Sequence, residues 1–213
     1  MIYWLSVFIL KAFSKLYLSG TVIQRENLPE KGPYIGVVNH NSNMDVVAMA
    51  MAVKSPVHTM AKVELFKVPV LKWWLKAVHM FPVVRNSSDI AAFNKALDLL
   101  RNGEVLFIAP EGTRKRDDGQ RHRPRTGFVR MAHNTDCPVV PVAIYGTDKV
   151  LPPGAWFPKP VKVVVKIGEP VKLEKVASNA DKKEKYQEQA NGVMDTVYSM
   201  YQEIEDQIES DRS

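Results

Sequence analysis

The chain has 213 residues, a formal net charge of +6 at pH 7 and a single cysteine, Cys137. This length suffices for one domain with a sizeable core, and one cysteine excludes a disulfide framework within the chain. The sequence contains no internal repeat, low-complexity segment or nucleic-acid recognition motif, so repeat architectures and nucleic-acid binding are disfavoured.

Residues 1–20 are apolar and rich in aromatic side chains, and they predict a helix lying in a membrane interface. The uninterrupted apolar run is about half of the roughly 20 residues that a bilayer-spanning helix needs. Lys11 and Lys15 share one helical face, and Trp4 and Tyr17 are aromatic residues that favour the interface. The alternative is a helix packed on the protein's own core, and the aromatic content favours the membrane.

The rest of the chain alternates between strand-like and helix-like segments. Strand runs lie near 34–38, 57–61, 80–84, 104–109, 138–145 and 161–167, with helical patterns between most of them. This order predicts a single α/β domain over 21–213, with a mostly parallel or mixed central sheet covered by helices. The last stretch, 181–209, predicts a charged amphipathic helix that packs on the domain.

The proline-rich stretch 151–160 predicts a loop, because repeated proline removes backbone donors and breaks regular elements. Trp156 and Phe157 in this loop have two interpretations, packing against the protein or contact with lipid. Packing is favoured.

A histidine and an aspartate lie five positions apart after the first strand run. His40 follows 34–38, and Asp45 lies in the first turn of a helix predicted over 44–53. A hydroxyl is a weak nucleophile at neutral pH, and a histidine within hydrogen-bond reach can take its proton as the oxygen attacks. A carboxylate on the other ring nitrogen fixes the tautomer and stabilises the imidazolium. The pair is therefore a candidate general base with its orienting carboxylate, although many such pairs are surface accidents.

A second motif, Pro-Glu-Gly-Thr-Arg at 110–114, follows the strand run 104–109. Taken alone, it is also compatible with an ordinary turn whose Glu111 and Arg114 are solvated. Functional groups in open α/β sheets gather beyond the carboxyl ends of the strands, so two such ends with these residue types are more specific than one. Together the motifs indicate transfer of an acyl group onto a hydroxyl near a phosphate.

These residues resemble the glycerolipid acyltransferase family, whose marks are an H-x4-D motif followed by an EGTR motif. The resemblance is strongest to the 1-acyl-glycerol-3-phosphate acyltransferase branch. Two weaker blocks, 81–85 and 139–144, fit in the same order, and the resemblance covers roughly residues 20–170.

The resemblance implies specific roles for residues of these motifs. His40 and Asp45 would be catalytic, and the acceptor site would be shaped by Arg85, Glu111, Gly112, Thr113 and Arg114. Arg85 and Arg114 are the natural phosphate clamps, because a guanidinium binds phosphate through two parallel hydrogen bonds.

The implied reaction moves a fatty acyl group from acyl-CoA or acyl-carrier-protein to the 2-hydroxyl of lysophosphatidic acid, giving phosphatidic acid for phospholipid synthesis. No cofactor and no metal are expected, since the five histidines show no ligand spacing with cysteine or carboxylates. The expected partners are a lysophospholipid acceptor, the acyl donor and a membrane surface, but no nucleic acid. The expected location is peripheral and monotopic, on the cytoplasmic face of the inner or cell membrane.

Two alternatives stay open. One is an enzyme of the same family that uses another lysolipid or an amino-lipid acceptor. The other is a non-catalytic membrane-binding module that has kept the fold. The four motif side chains His40, Asp45, Glu111 and Arg114 argue against the second alternative, because a binding module needs no base with its own carboxylate.

Positive charge is concentrated in one loop after the second motif. Its basic residues are Lys115, Arg116, Arg121, Arg123 and Arg125, and its acidic residues are Asp117 and Asp118. Such a cluster attracts the phosphates of a lipid surface or of coenzyme A. A solvated loop is the alternative interpretation.

Overall fold

The computed structural model describes residues 2–84, 89–113, 122–152, 155–176 and 181–211. Its α-helices are α1 (Ile2–Tyr17), α2 (Asp45–Ala52), α3 (Pro69–Ala77), α4 (Ile90–Arg101), α5 (Gly127–Thr135), α6 (Thr147–Val150) and α7 (Lys182–Ser210). Its strands are β1 (Thr21–Ile23), β2 (Tyr34–Val38), β3 (Val57–Lys62), β4 (Met80–Val83), β5 (Val105–Ile108), β6 (Val139–Tyr145) and β7 (Val164–Ile167). All six predicted strands are present, and β1 is an additional short one.

The strands form one sheet in the order β1-β7-β6-β2-β5-β3-β4. The five strands from β6 to β4 pair in parallel, whereas β7 pairs antiparallel with β6 and carries β1 parallel to itself. The predicted α/β class with a mostly parallel or mixed sheet is therefore confirmed.

Helices cover both faces of this sheet, and the central strand β2 shows why. Ile35 and Val37 enter the apolar cluster that also contains residues of α4, α5 and α7, whereas Tyr34 and Val38 enter the cluster with α1 and α2. Every residue of β2 is buried. A strand buried on both faces reads as a continuous apolar run, which is the pattern seen at 34–38.

The N-terminal helix α1 has two different sides. Tyr3 and Val7 are buried against the domain, and the Tyr3 hydroxyl accepts a 2.9 Å hydrogen bond from the backbone N–H of Val57. Phe8 and Ile9 on the other side are mostly exposed. The helix therefore packs on the core along one side and leaves an apolar surface along the other. No helix among the described residues has the length and apolar character needed to cross a bilayer.

The proline-rich segment departs from the sequence-based expectation. Trp156 is 90% exposed and Phe157 is 82% exposed, so the predicted packing of these two rings is wrong.

The functional turns meet because of the strand order. Strands β6, β2 and β5 are neighbours and run parallel, so their carboxyl ends lie side by side at one edge of the sheet. The chain leaves β2 toward His40, leaves β5 toward Glu111 and leaves β6 toward Thr147. This edge carries the candidate site.

Candidate active site

His40 and Asp45 meet across one turn between β2 and α2. The Nδ1 atom of His40 lies 2.8 Å from Oδ2 of Asp45. The His40 side chain is 19% exposed and that of Asp45 is 6% exposed, so the imidazole lies between a buried carboxylate and the surface. A carboxylate only accepts hydrogen bonds, so Nδ1 carries the proton and Nε2 keeps its lone pair in the neutral ring.

The Asp45 carboxylate is held by three further donors. Its Oδ2 accepts from the backbone N–H groups of Asn41 at 3.0 Å and Ser42 at 3.1 Å. Its Oδ1 accepts from the Thr147 hydroxyl at 2.5 Å, and Thr147 is only 1% exposed. All four contacts come from donors, so the ionised carboxylate satisfies them and its orientation is fixed.

A buried asparagine joins the end of β2 to β6. The side chain of Asn39 donates from Nδ2 to the carbonyl oxygen of Ile144 and accepts from the Ile144 N–H, both at 2.8 Å. Asn41 donates to the same carbonyl oxygen at 3.1 Å. These bonds extend the β2–β6 pairing past the last strand residue, which brings Thr147 within reach of Asp45.

Glu111 lies behind His40. Its Oε2 accepts from the backbone N–H of His40 at 3.2 Å, and its Oε1 accepts from the hydroxyl of Tyr198 on α7 at 2.6 Å. Burial raises the pKa of the Glu111 carboxyl, and the hydrogen bonds from Tyr198 and His40 oppose part of that rise. The carboxylate thus ties the turn after β5 to the backbone of the histidine and to α7.

Gly112 allows the turn after β5 to close. Its φ is +69°, and a Cβ at this position would lie 2.8 Å from Nε of Arg125. Any other L-residue would be strained there and would push the Arg125 side chain away. Arg125 is anchored through its backbone N–H, which donates to the carbonyl oxygen of Pro110 at 2.9 Å. A guanidinium is therefore held beside the turn.

The arrangement has the parts needed for general base catalysis at a substrate hydroxyl. One ring nitrogen of His40 is fixed by Asp45, and the other is available for a proton. The sequence profile of the Acyltransferase family matches residues 20–145. The chain belongs to this acyltransferase family.

Individual relatives of the acyltransferase support the branch to which the motifs point. The chain is 32% identical to the 1-acyl-sn-glycerol-3-phosphate acyltransferase of Bacillus subtilis, over 70% of this chain and 72% of that protein. It is 30% identical to the chloroplastic LPAT1 enzyme of Arabidopsis thaliana, but it spans only 42% of that longer protein. The resemblance to the glycerolipid acyltransferases is therefore confirmed.

A solved structure shares the fold of this acyltransferase. The crystal structure of the 1-acyl-sn-glycerophosphate acyltransferase from Thermotoga maritima matches with a TM-score of 0.66 and 30% sequence identity. The match covers 91% of this chain and 79% of that one. The similarity extends beyond the residues of the family profile, since it includes most of the chain.

The predicted site residues of the acyltransferase fall into two groups. The described ones, His40, Asp45, Glu111, Gly112 and Thr113, lie at the same edge of the sheet, with Thr113 exposed. Arg85 and Arg114 lie outside the described residues, as do Lys115, Arg116 and Arg121 of the basic loop.

Sequence reasoning missed three side chains that hold this site. Thr147, Tyr198 and Asn39 are separated in sequence from the groups they bind by 102, 87 and 105 positions, respectively. No motif marks them. The one local signal is that Thr147 is a polar residue two positions after the end of β6.

An apolar pocket that is partly open to solvent lies against α2 of the acyltransferase. Residues of α1, α2 and α3 and of the neighbouring strands line it, including Tyr3, Leu10, Val46, Met49, Trp74 and Met80. Val46 directly follows Asp45, so the pocket reaches the helix that carries the carboxylate. Within the described part of the chain, no group of three or more His, Cys, Asp or Glu side chains could hold a metal ion.

Proposed function

We propose that this acyltransferase moves a fatty acyl group from acyl-CoA or acyl-carrier-protein to the 2-hydroxyl of lysophosphatidic acid, giving phosphatidic acid for phospholipid synthesis. The observation that carries the proposal is the 2.8 Å hydrogen bond between His40 and Asp45 at the carboxyl end of β2. The similar proteins from Bacillus subtilis and Thermotoga maritima are acyltransferases for 1-acyl-glycerophosphate, which supports this choice of acceptor.

In the proposed mechanism, His40 Nε2 takes the proton of the acceptor hydroxyl while that oxygen attacks the thioester carbonyl. The new C–O bond forms, the C–S bond breaks, and the imidazolium returns its proton to the leaving thiolate. Asp45 keeps the ring oriented and stabilises the imidazolium. A covalent acyl-enzyme is unnecessary, because a thioester is already activated.

Glu111 acts on the site through the backbone. Both of its oxygens accept from protein donors, His40 N–H and the Tyr198 hydroxyl, so it positions the histidine. In the sequence, Arg85 comes shortly after β4, and Arg114 comes at the end of the Glu-Gly-Thr-Arg motif that follows β5. We assign both arginines to the acceptor phosphate. Gly112 and Thr113 shape the turn after β5, directly before Arg114.

The apolar pocket beside α2 suits an acyl chain. It is lined by aliphatic, methionine and aromatic side chains, and its wall includes Val46 next to Asp45. Pockets that take apolar ligands have such linings with few polar groups. An acyl chain placed here would have its carboxyl end near the helix turn that carries the catalytic carboxylate.

A thiol-release assay tests the proposed reaction. The purified protein is mixed with palmitoyl-CoA or palmitoyl-acyl-carrier-protein and with lysophosphatidate, lysophosphatidylcholine, lysophosphatidylethanolamine or a lyso-amino-lipid. Lysophosphatidate is expected to give the fastest release of free thiol. Faster release with another acceptor would assign the protein to a different acceptor within the family.

Replacing Arg85 or Arg114 should raise the KM for the acceptor more than the KM for the donor. Arg85→Ala or Arg114→Ala is expected to raise the apparent KM for lysophosphatidate by about 10–100-fold, because a charged hydrogen-bonded contact contributes about 1.5–3 kcal/mol. Lysine at either position should rescue poorly, since it lacks the planar fork of donors. Steady-state kinetics with each substrate varied in turn measures this.

Arg101→Ala is the matched control for that experiment. Arg101 is exposed at the end of α4 and pairs only loosely with Asp98 at 3.7 Å. A donor KM that climbs while the acceptor KM stays unchanged would instead assign Arg85 and Arg114 to the phosphates of the donor.

Thr147 should act as a positioning residue for Asp45. Thr147→Val keeps the shape of the side chain but removes the hydroxyl that donates to Oδ1 at 2.5 Å. We expect kcat to fall by about 10–100-fold with little change in either KM, because the lost hydrogen bond supports the carboxylate as the imidazolium forms. Thr147→Ser restores the hydroxyl and should recover most of kcat. If serine fails to rescue, the threonine contributes packing and not orientation.

We further propose that the protein is a peripheral, monotopic membrane protein on the cytoplasmic face, where soluble acyl carriers are found. Phe8→Ser with Ile9→Ser removes apolar area from the exposed side of α1 and spares Tyr3 and Val7, which pack inward. Co-sedimentation with anionic vesicles is expected to fall by about tenfold or more. Val171→Ser, exposed at the opposite edge of the sheet, is the control. Unchanged binding would place the membrane contact elsewhere.

A further inference from the structure

The loop between α6 and β7 exposes two aromatic rings that no catalytic role requires. Trp156 and Phe157 are the two most exposed aromatic side chains in the described part of the chain. Lys159 and Lys162 follow the two rings and are both exposed. Two adjacent exposed aromatic rings beside exposed lysines indicate an interaction site, since contiguous exposed apolar groups mark such sites.

The described residues of this loop lie at the same edge of the sheet as His40 and Asp45. It begins directly after α6, whose Thr147 donates to Asp45. The N–H of Lys159 donates to the carbonyl oxygen of Val150 at 2.7 Å, which closes the loop on itself. A contact made by the loop therefore has a defined position relative to the active site.

The loop also continues the exposed surface of α1. The hydroxyl of Tyr17 donates to the carbonyl oxygen of Pro158 at 2.8 Å, so the end of α1 lies against the loop. Leu16 beside it is 86% exposed. Lys15 and Lys159 are exposed on the two joined segments. The apolar tip and the lysines together make one amphipathic surface at this edge.

We propose that Trp156 and Phe157 insert into the headgroup region of an anionic bilayer and form a lipid contact at the rim of the active site. The proposal rests on the proposed function, since it assigns the membrane contact that brings the acceptor lipid to His40. Tryptophan favours the membrane interface, and neighbouring lysines are attracted to anionic lipid. Apolar insertion and charge attraction are the two signals that stable surface binding needs.

The bilayer explains both features of the surface. Charge attraction alone would account for the lysines but not for two neighbouring rings at the tip of the loop. A contact here places the carboxyl edge of the sheet against the membrane, so a lysolipid reaches His40 without full transfer into water. The exposed surface of α1 and the loop then contact the same bilayer next to each other.

The test compares Trp156→Ser/Phe157→Ser with the wild type and with the Val171→Ser control, using full-length protein. Co-sedimentation is measured with vesicles of phosphatidylglycerol and phosphatidylcholine and with vesicles of phosphatidylcholine alone. The double variant is expected to lose about tenfold or more in binding to the anionic vesicles, and the control is expected to lose none. Lys159→Gln/Lys162→Gln should weaken binding to the anionic vesicles only.

Three outcomes would overturn the proposal. Equal vesicle binding by the double variant and the wild type would remove the loop from the membrane contact. A wild-type dimer that becomes a monomer in the double variant, with vesicle binding unchanged, would assign the rings to a second copy of the chain. A higher KM for acyl-carrier-protein with unchanged vesicle binding would assign them to the donor.

A second measurement uses the rings in place and does not depend on the folding of the double variant. Trp4→Phe, Trp73→Phe and Trp74→Phe leave Trp156 as the sole tryptophan, because the chain has four. Vesicles with bromine on the upper acyl carbons should quench its emission, and absence of quenching would refute insertion.

A short-chain lysophosphatidate in solution separates this proposal from the proposed function. The Trp156→Ser/Phe157→Ser variant should acylate this soluble substrate at the wild-type rate. If the wild type does not acylate it, the proposed acyl transfer to lysophosphatidate is rejected, while the vesicle-binding result still stands.

Discussion

His40→Ala is expected to lower kcat by about 10²–10⁴-fold, the usual contribution of proton transfer by a positioned base. The fold should survive this change. The Asp45 carboxylate keeps the donors from Asn41, Ser42 and Thr147 after the imidazole is gone. The measurement is free-thiol release at saturating acyl-CoA and lysophosphatidate, with the melting temperature recorded for the same preparation.

His133→Ala is the matched control for the loss of a histidine. His133 lies in α5 and pairs with Gln189 at 2.8 Å on the other face of the sheet, away from the catalytic turn. Its replacement should leave kcat unchanged. Normal turnover by a well-folded His40→Ala protein would refute the proposed mechanism.

The sequence was sufficient for the fold class and for the contact between His40 and Asp45, because both depend on local patterns. Each buried strand appears as an apolar run, and β2 and β6 are buried along their whole length. His40 and Asp45 flank a single turn, so their meeting follows from one strand end and one helix start. Parallel pairing then brings the turn after β5 to the same edge.

The supports of the site could not be predicted in the same way. Thr147 reaches Asp45 only because β6 lies next to β2, and this neighbourhood depends on the order of strands in the sheet. Tyr198 reaches Glu111 from a helix near the end of the chain. Strand order and helix docking are set by the whole core, so the sequence around Thr147 or Tyr198 does not identify the residue that each one contacts.

The periodicity of apolar residues does not decide whether they are buried in the protein or exposed, as two segments show. For α1, the sequence left membrane contact and core packing open, and the helix packs on the core through Val7 while Phe8 on its other side is exposed. For Trp156 and Phe157, core packing was favoured and proved wrong. Burial of a loop residue depends on what packs over it, and composition contains no information about that.

Asp45→Asn is expected to lower kcat by about 10²–10⁴-fold while the KM for both substrates changes little. The amide keeps the size of the side chain but removes the charge that stabilises the imidazolium, an interaction that matters only in the transition state. The amide oxygen can keep the three donors on Oδ2, and the Thr147 hydroxyl can turn to accept from the amide N–H, so the variant tests the charge more than the hydrogen-bond network. Asp195→Asn, on an exposed position of α7, is the control.

A double-mutant cycle decides whether His40 and Asp45 act as one unit. If Asp45 works through the imidazole, His40→Ala/Asp45→Asn should be no slower than His40→Ala alone, because no ring remains for the carboxylate to orient. If the two losses multiply, Asp45 contributes to catalysis by a separate route, through the turn at Asn41 and Ser42 or through Thr147. The thiol-release rates of the four proteins, measured at the same saturating substrate concentrations, distinguish these results.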